Sequence, residues 1–201
     1  YVAPLDEGEG LVVETHNISW VTKEMYANAM ATAGIENARV VAAAPFSVSG
    51  TAALTGIMKA FEEISGDELD EEAKKIANEE LVTTGELGED IGKDEAAALI
   101  KEIKERIIRE RIKNPEDIKR IILEIAKELN IQLTEEQINQ IIELMKKISQ
   151  LDLDIDKITS QLKKITEGLD SIRKTVEENK GILQRIWEAI HGFLKWVVSL
   201  F

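Results

Sequence analysis

Apolar residues recur along this chain in two rhythms. Leu11-Val12-Val13-Glu14-Thr15 and Ala38-Arg39-Val40-Val41-Ala42-Ala43-Ala44 are short runs bounded by glycine, asparagine or proline, a pattern that predicts two strands, the second ended by Pro45. Each is followed by helical spacing. Thr22 stands as an N-cap with Val21 and Tyr26 at the hydrophobic-staple positions, and the helix continues through Met25, Ala29 and Met30 to a stop at Gly34. The small-residue loop of Ser47, Ser49, Gly50 and Thr51 leads into Ala52, Leu54, Ile57, Met58 and Phe61, a second helix that ends at Gly66. Strand, helix, strand, helix with a crossover of this length predicts parallel strands with helices packed on them. Two strands alone are marginal in water, so the sheet needs another, from Tyr1 to Leu5, from residues upstream, or from another copy.

After residue 66 the rhythm is helical. Asp70 caps a helix expected to reach Thr84, with Gly85, Gly88 and Gly92 breaking it, and Asp94 opens the next through Leu99, Ile100, Ile103, Ile107 and Ile108. Asn114-Pro115-Glu116-Asp117 places a cap, an N1 proline and first-turn acids in order. Thr134 and Gln137 form a capping box ahead of Ile138, Ile141, Ile142, Leu144, Met145 and Ile148.

The longest periodic signal comes last. Apolar residues at Ile158, Leu162, Ile165, Leu169, Ile172, Val176, Leu183, Ile186, Ile190 and Phe193 alternate spacings of three and four, with Asn179 as the polar member of the seam. A continuous helix of ~45 residues would reach ~65 Å at ~1.5 Å per residue, and a stripe sustained over that length is a coiled-coil seam, in which a buried Asn sets register. Toward the end Trp187 and Trp196 widen the apolar surface. Such a face packs among other helices or lies in a membrane interface, and the few cations opposite it favour protein contacts. The seam predicts a homo-oligomer or homopolymer. The fold expected is α+β and mostly α: a small βαβα domain over 1–90, a helical segment over 91–151, and a long C-terminal helix over 152–201.

Charge changes the picture in one respect. The net charge of −13 falls within residues 1–90, which carry 18 acidic and 5 basic side chains; residues 91–201 carry 20 of each. Lys and Arg neutralising phosphates are the main source of nucleic-acid affinity, so this acidic half argues against nucleic acid as a partner. Chemistry is sparse. There is no cysteine, and His16 and His191 are the two histidines, which removes thiol nucleophiles, disulfide scaffolds and most zinc and iron–sulfur sites. Asp152-Leu153-Asp154-Ile155-Asp156 opens like a calcium loop, but Lys157 holds the glycine position and Lys163 that of the bidentate glutamate. No metal or cofactor is expected.

The fold pattern itself points to one place for a ligand, the carboxyl ends of the parallel strands. Glu14 and His16 leave the first strand there; Ser47, Ser49 and Thr51 leave the second and lead to a helix N-terminus. Without a Walker lysine or a dinucleotide glycine fingerprint the signal is weak, and serine and threonine before a helix are ordinarily caps. His16 as a base oriented by Glu14 requires both on one face of a strand that extends far enough. The alternative function is therefore a small-ligand module or hydrolase using these loops, with the C-terminal helix as a stalk or interfacial anchor.

Three strings carry a resemblance: Val13-Glu14-Thr15-His16-Asn17-Ile18-Ser19-Trp20-Val21-Thr22, Ala44-Pro45-Phe46-Ser47-Val48-Ser49-Gly50-Thr51-Ala52-Ala53-Leu54-Thr55-Gly56, and Glu79-Glu80-Leu81-Val82-Thr83-Thr84-Gly85-Glu86-Leu87-Gly88. From about Tyr1 to about Ile165 the chain resembles the YpuA-like family of secreted Gram-positive proteins, a domain of unknown function. The resemblance implies export and a cell-envelope or extracellular location. Family members look longer ahead of Tyr1, which together with the missing initiator methionine suggests a processed start and a free extended arm able to join a neighbour's sheet. The expected function is that of an exported structural or interaction protein that self-associates through its C-terminal helix, and through an N-terminal strand, into a filament or other homopolymer.

Overall fold

In a computed structural model, the structure describes residues 1–153 together with 157, 158, 160 and 161. A three-stranded sheet is followed by helices: β1 (Val2–Pro4), β2 (Leu11–Ile18), α1 (Lys23–Thr32), β3 (Ala38–Val48), α2 (Ala53–Ser65), α3 (Glu71–Ile91), α4 (Lys93–Glu110), α5 (Pro115–Glu128) and α6 (Glu135–Ile148). The fold is mostly helical with a small N-terminal sheet, as the sequence predicts.

β3 is central, in the order β1-β3-β2. It pairs parallel with β2, as the βαβ pattern requires, and antiparallel with β1, which supplies the third strand from the chain's own first residues. Tyr1 N–H donates to the Val41 carbonyl at 3.0 Å and Val41 N–H returns a bond to the Tyr1 carbonyl at 2.9 Å. The N-terminal segment is therefore not the free arm expected; its backbone groups are occupied at home. Pro45 does not end β3. The strand continues to Val48 because β3 bulges between its pairing with His16 and its pairing with Ile18. Pro45 lies in that bulge, where a missing N–H costs no ladder bond, and Asn17 Nδ2 fills the gap by donating to the Ala44 carbonyl at 2.7 Å.

The helix starts are those that side-chain oxygens favour. Thr22, Asp70, Asn114 and Thr134 each accept from a first-turn backbone N–H, replacing hydrogen bonds that a helix cannot make internally. One expected stop is wrong. α3 runs through Gly85 and Gly88 to Ile91, because these glycines admit neighbours rather than end the helix. A Cβ at Gly85 would stand 2.0 Å from Cη2 of Trp20, and one at Gly88 would stand 3.0 Å from the Lys93 Cα.

Nor does the packing divide at residue 90. Tyr1–Ile165 form one compact unit, because α1 lies between two layers. Its residues from Glu24 to Thr32 are buried, with β2 on one side and α3 and α4 on the other. Alanines 27, 29 and 31 let these neighbours approach closely. The amphipathic stripes of α4, α5 and α6 then close a second apolar layer, in which Leu99, Ile100, Ile103, Ile107, Ile118, Ile122, Ile141 and Leu144 are wholly buried; each such side chain contributes about 1.5–3 kcal/mol on burial.

Candidate functional site

The sheet has one covered and one bare face. Ala38, Val40 and Ala42 point toward the helices and are buried, and Leu11, Val13 and Thr15 register with them. Val12, Glu14 and His16 register with Arg39, Val41 and Ala43 on the opposite side. β2 extends far enough to place Glu14 and His16 on one face. Glu14 does not orient the imidazole, however. Its Oε1 accepts from Arg39 Nη1 at 3.0 Å, a pair in which both side chains are nearly half exposed. His16 is exposed, and among the described residues no hydrogen bond joins it to Glu14, Ser47 or Ser49.

Ser47 lies exposed in the β3 bulge, while Ser49 and Thr51 flank the turn into α2 with their hydroxyl oxygens 3.4 Å apart. That turn is held from below. The Tyr26 hydroxyl donates to the Gly50 carbonyl at 2.5 Å, and burial pushes the phenol up to about 12. Gly50 has φ +91°, and a Cβ there would stand 2.4 Å from Ile18 Cγ2 and 2.5 Å from the Tyr26 oxygen, so both the backbone conformation and the space require glycine. Ala52 precedes α2 without a side-chain cap. Two hydroxyls and uncapped N–H groups can donate hydrogen bonds, but this turn presents neither a base nor a charged group to activate them.

Two features escaped the sequence reading. One is an acidic groove of about 590 Å³ between α3 and α6, lined by Glu79, Glu86, Glu136 and Glu143 among others. Lys147 Nζ reaches both Glu79 oxygens at 2.6 and 2.7 Å, and Lys146 reaches Glu143 at 2.9 Å, so two of the four carboxylates are paired. The other is a charge cluster at the heart of the molecule. Lys104 of α4 is wholly buried, and its ammonium donates to the Asn28 carbonyl at 2.7 Å, the Thr32 hydroxyl at 2.9 Å and Glu80 Oε1 at 2.7 Å. Thr32 in turn donates to the second Glu80 oxygen. Burial pushes the Lys104 ammonium below its ordinary range, and the facing Glu80 carboxylate opposes that shift. The ammonium thus ties α1, α3 and α4 with all three of its N–H groups satisfied. A signal existed: Lys104 stands between Ile100 and Ile108 in the apolar stripe of α4, and Glu80 stands between Ile76 and Thr84 in that of α3. A charge at such a position is either an error in the periodicity or half of a buried pair.

Of the residues expected to form an intermolecular seam, Ile158 is described, and it is 5% exposed within the compact unit. It belongs to this molecule's own core. Leu162, Ile165, Leu169, Ile172, Val176, Asn179, Leu183, Ile186, Trp187, Ile190, Phe193 and Trp196 lie outside the described residues.

A family model described as protein of unknown function (DUF1002) matches residues 1–165. The chain belongs to the DUF1002 family. Its match ends where the compact unit ends, at Ile165, so the family's shared pattern is that of the sheet, the central helix and the layer behind it. The uncharacterized protein YpuA of Bacillus subtilis (strain 168) is 44% identical to this DUF1002 chain over 198 residues, 97% of the chain and 67% of YpuA. No solved structure matches the chain. Among the described residues, no helix is long and apolar enough to cross a membrane, and no group of three or more His, Asp or Glu side chains is placed to hold a metal ion.

Proposed function

We propose that this DUF1002 protein is an exported cell-envelope or extracellular structural protein that self-associates through its C-terminal residues into a homopolymer such as a filament. One observation carries the reading: the three-and-four spacing of apolar residues runs from Leu162 to Phe193, past the end of the compact unit at Ile165. An apolar stripe of this length gains stability by packing against another of its kind. Asn179 within the stripe would fix the register of that packing. Export rests on what the resemblance of residues 1–165 to the YpuA-like family implies.

Light scattering on the full chain tests this. A mass several times 22.5 kDa, lowered by Leu169→Asp with Ile172→Asp, is expected. A full chain that stays monomeric at concentrations around 100 µM, well above the ~1 µM affinity of an ordinary specific association, overturns the proposal.

A further inference from the structure

The sheet ends on two edges of unequal quality. β1 ends in Pro4, whose missing N–H blunts that edge. β2 is eight residues long, contains no proline, and carries Leu11, Val12 and Val13 in succession. Its inner side is used: Ala38 N–H donates to the Gly10 carbonyl at 3.0 Å, and the parallel register then commits the N–H and C=O groups of Val12, Glu14 and His16 to β3. By the same alternation the N–H and C=O groups of Leu11, Val13 and Thr15 point away from the sheet. Among the described residues no other backbone or side-chain group pairs with them. Leu11 and Val13 are also only partly buried against the core, so the apolar layer under this edge is unfinished where the backbone is unpaired.

We infer that β2 pairs antiparallel with β2 of a second copy, centred on Val13, to form one continuous six-stranded sheet. The register follows from the edge itself. Centring on Val13 sets Val13 opposite Val13 and Leu11 opposite Thr15, so the three outward residues of each copy meet those of the other as hydrogen-bonded pairs. On the bare face Glu14 comes opposite Val12, not opposite its own counterpart, and Arg39 of the same copy already neutralises it. Centring on Glu14 would face two carboxylates across the axis, a destabilising cross-strand pair. The second copy is therefore the occupant whose hydrogen-bonding pattern and charge this strand matches. It uses a different segment of the chain from the C-terminal seam and does not rest on it.

Cross-linking reads the register directly, because the native chain has no cysteine. In a Val13→Cys chain the two sulfurs belong to residues facing each other at a Cα separation of ~5.5 Å, inside the ~4.4–6.8 Å that a disulfide spans. Mild oxidation should convert most of it to a covalent dimer. Glu14→Cys, whose counterpart lies two residues further along the strand and so ~6.8 Å out of register, should cross-link at least tenfold more slowly. A chain carrying Val13→Cys with Leu169→Asp and Ile172→Asp should cross-link equally well. Absence of the Val13 dimer in a full chain that light scattering shows to be multimeric overturns the edge pairing while leaving the C-terminal reading intact, and a monomeric mass overturns both. Equal rates for the two cysteines indicate random collision and overturn it, as does loss of the dimer when the C-terminal stripe is broken.

Discussion

Replacing Glu80 with Leu removes the carboxylate that faces a wholly buried ammonium. Lys104 keeps the Asn28 carbonyl and the Thr32 hydroxyl as neutral acceptors at 2.7 and 2.9 Å, but neither compensates a charge that has left water. Removing one partner of such a pair typically costs about 3–5 kcal/mol, because the other stays buried and uncompensated. For a chain of this size each kcal/mol moves the melting midpoint by roughly 2–4 °C, so Glu80→Leu should lower it by roughly 6–20 °C. Lys104→Met should cost a similar amount by stranding the carboxylate. The double variant is the informative one: with both charges gone and similar volume in place, the change should return to within about 1–2 kcal/mol of the native chain or beyond it, since apolar replacement of a buried pair is often neutral or stabilising. Urea or thermal unfolding followed by circular dichroism closes the cycle. Additive single and double effects, or a Glu80→Leu cost below about 1 kcal/mol, would refute the account, because contacting charges must couple. The pH dependence has a fixed sign. The folded-state value of Lys104 lies below the ordinary 10.5, so between the two the unfolded chain holds a proton that the folded chain lacks. Stability of the native chain relative to Lys104→Met should therefore rise with pH through that window.

Other consequences follow from single contacts. Gly85→Ala should destabilise by about 1–3 kcal/mol through overpacking against Trp20, despite alanine's roughly 1 kcal/mol advantage within a helix; a stabilised variant in thermal melting would show that Trp20 does not sit over Gly85. The Tyr26 phenol should ionise only near 12, so the native absorbance at 295 nm minus that of Tyr26→Phe should show no tyrosinate from this residue at pH 10.5. Because that folded value is raised, the stability it contributes is present below the ordinary value of 10 and is lost as pH climbs toward 12. Lys74 Nζ sits 2.9 Å from Glu62 Oε1, and this hydrogen bond, with one from the Leu69 N–H, holds the Glu62 carboxyl below its ordinary 4.5. Lys74→Ala should move the Glu62 carboxyl resonance toward a higher titration midpoint in NMR, and an unchanged midpoint would place the lysine elsewhere.

The sequence by itself determined everything that local rules can reach: the caps Thr22, Asp70, Asn114 and Thr134, the parallel pairing of β2 with β3 that a βαβ crossover imposes, and the family that residues 1–165 belong to. These depend on hydrogen bonds or handedness within a few residues or one crossover, so the pattern of residue types is enough. Tertiary structure decided what depends on residues far apart. Gly85 resembles a helix breaker until Trp20, sixty-five positions earlier, is seen resting on it. Pro45 resembles a strand end until the bulge opposite Asn17 removes the need for its N–H. Tyr1–Leu5 could have joined any sheet, and joined its own because β3 offered the nearest unpaired edge. Glu14 and His16 do share a face, yet Arg39 takes the carboxylate that the histidine would have needed. Lys104 and Glu80 stand in two apolar stripes as apparent irregularities, and only the packing of α3 and α4 around α1 brings them to 2.7 Å, since a buried charge is tolerable only where the fold delivers its counter-charge to the same spot.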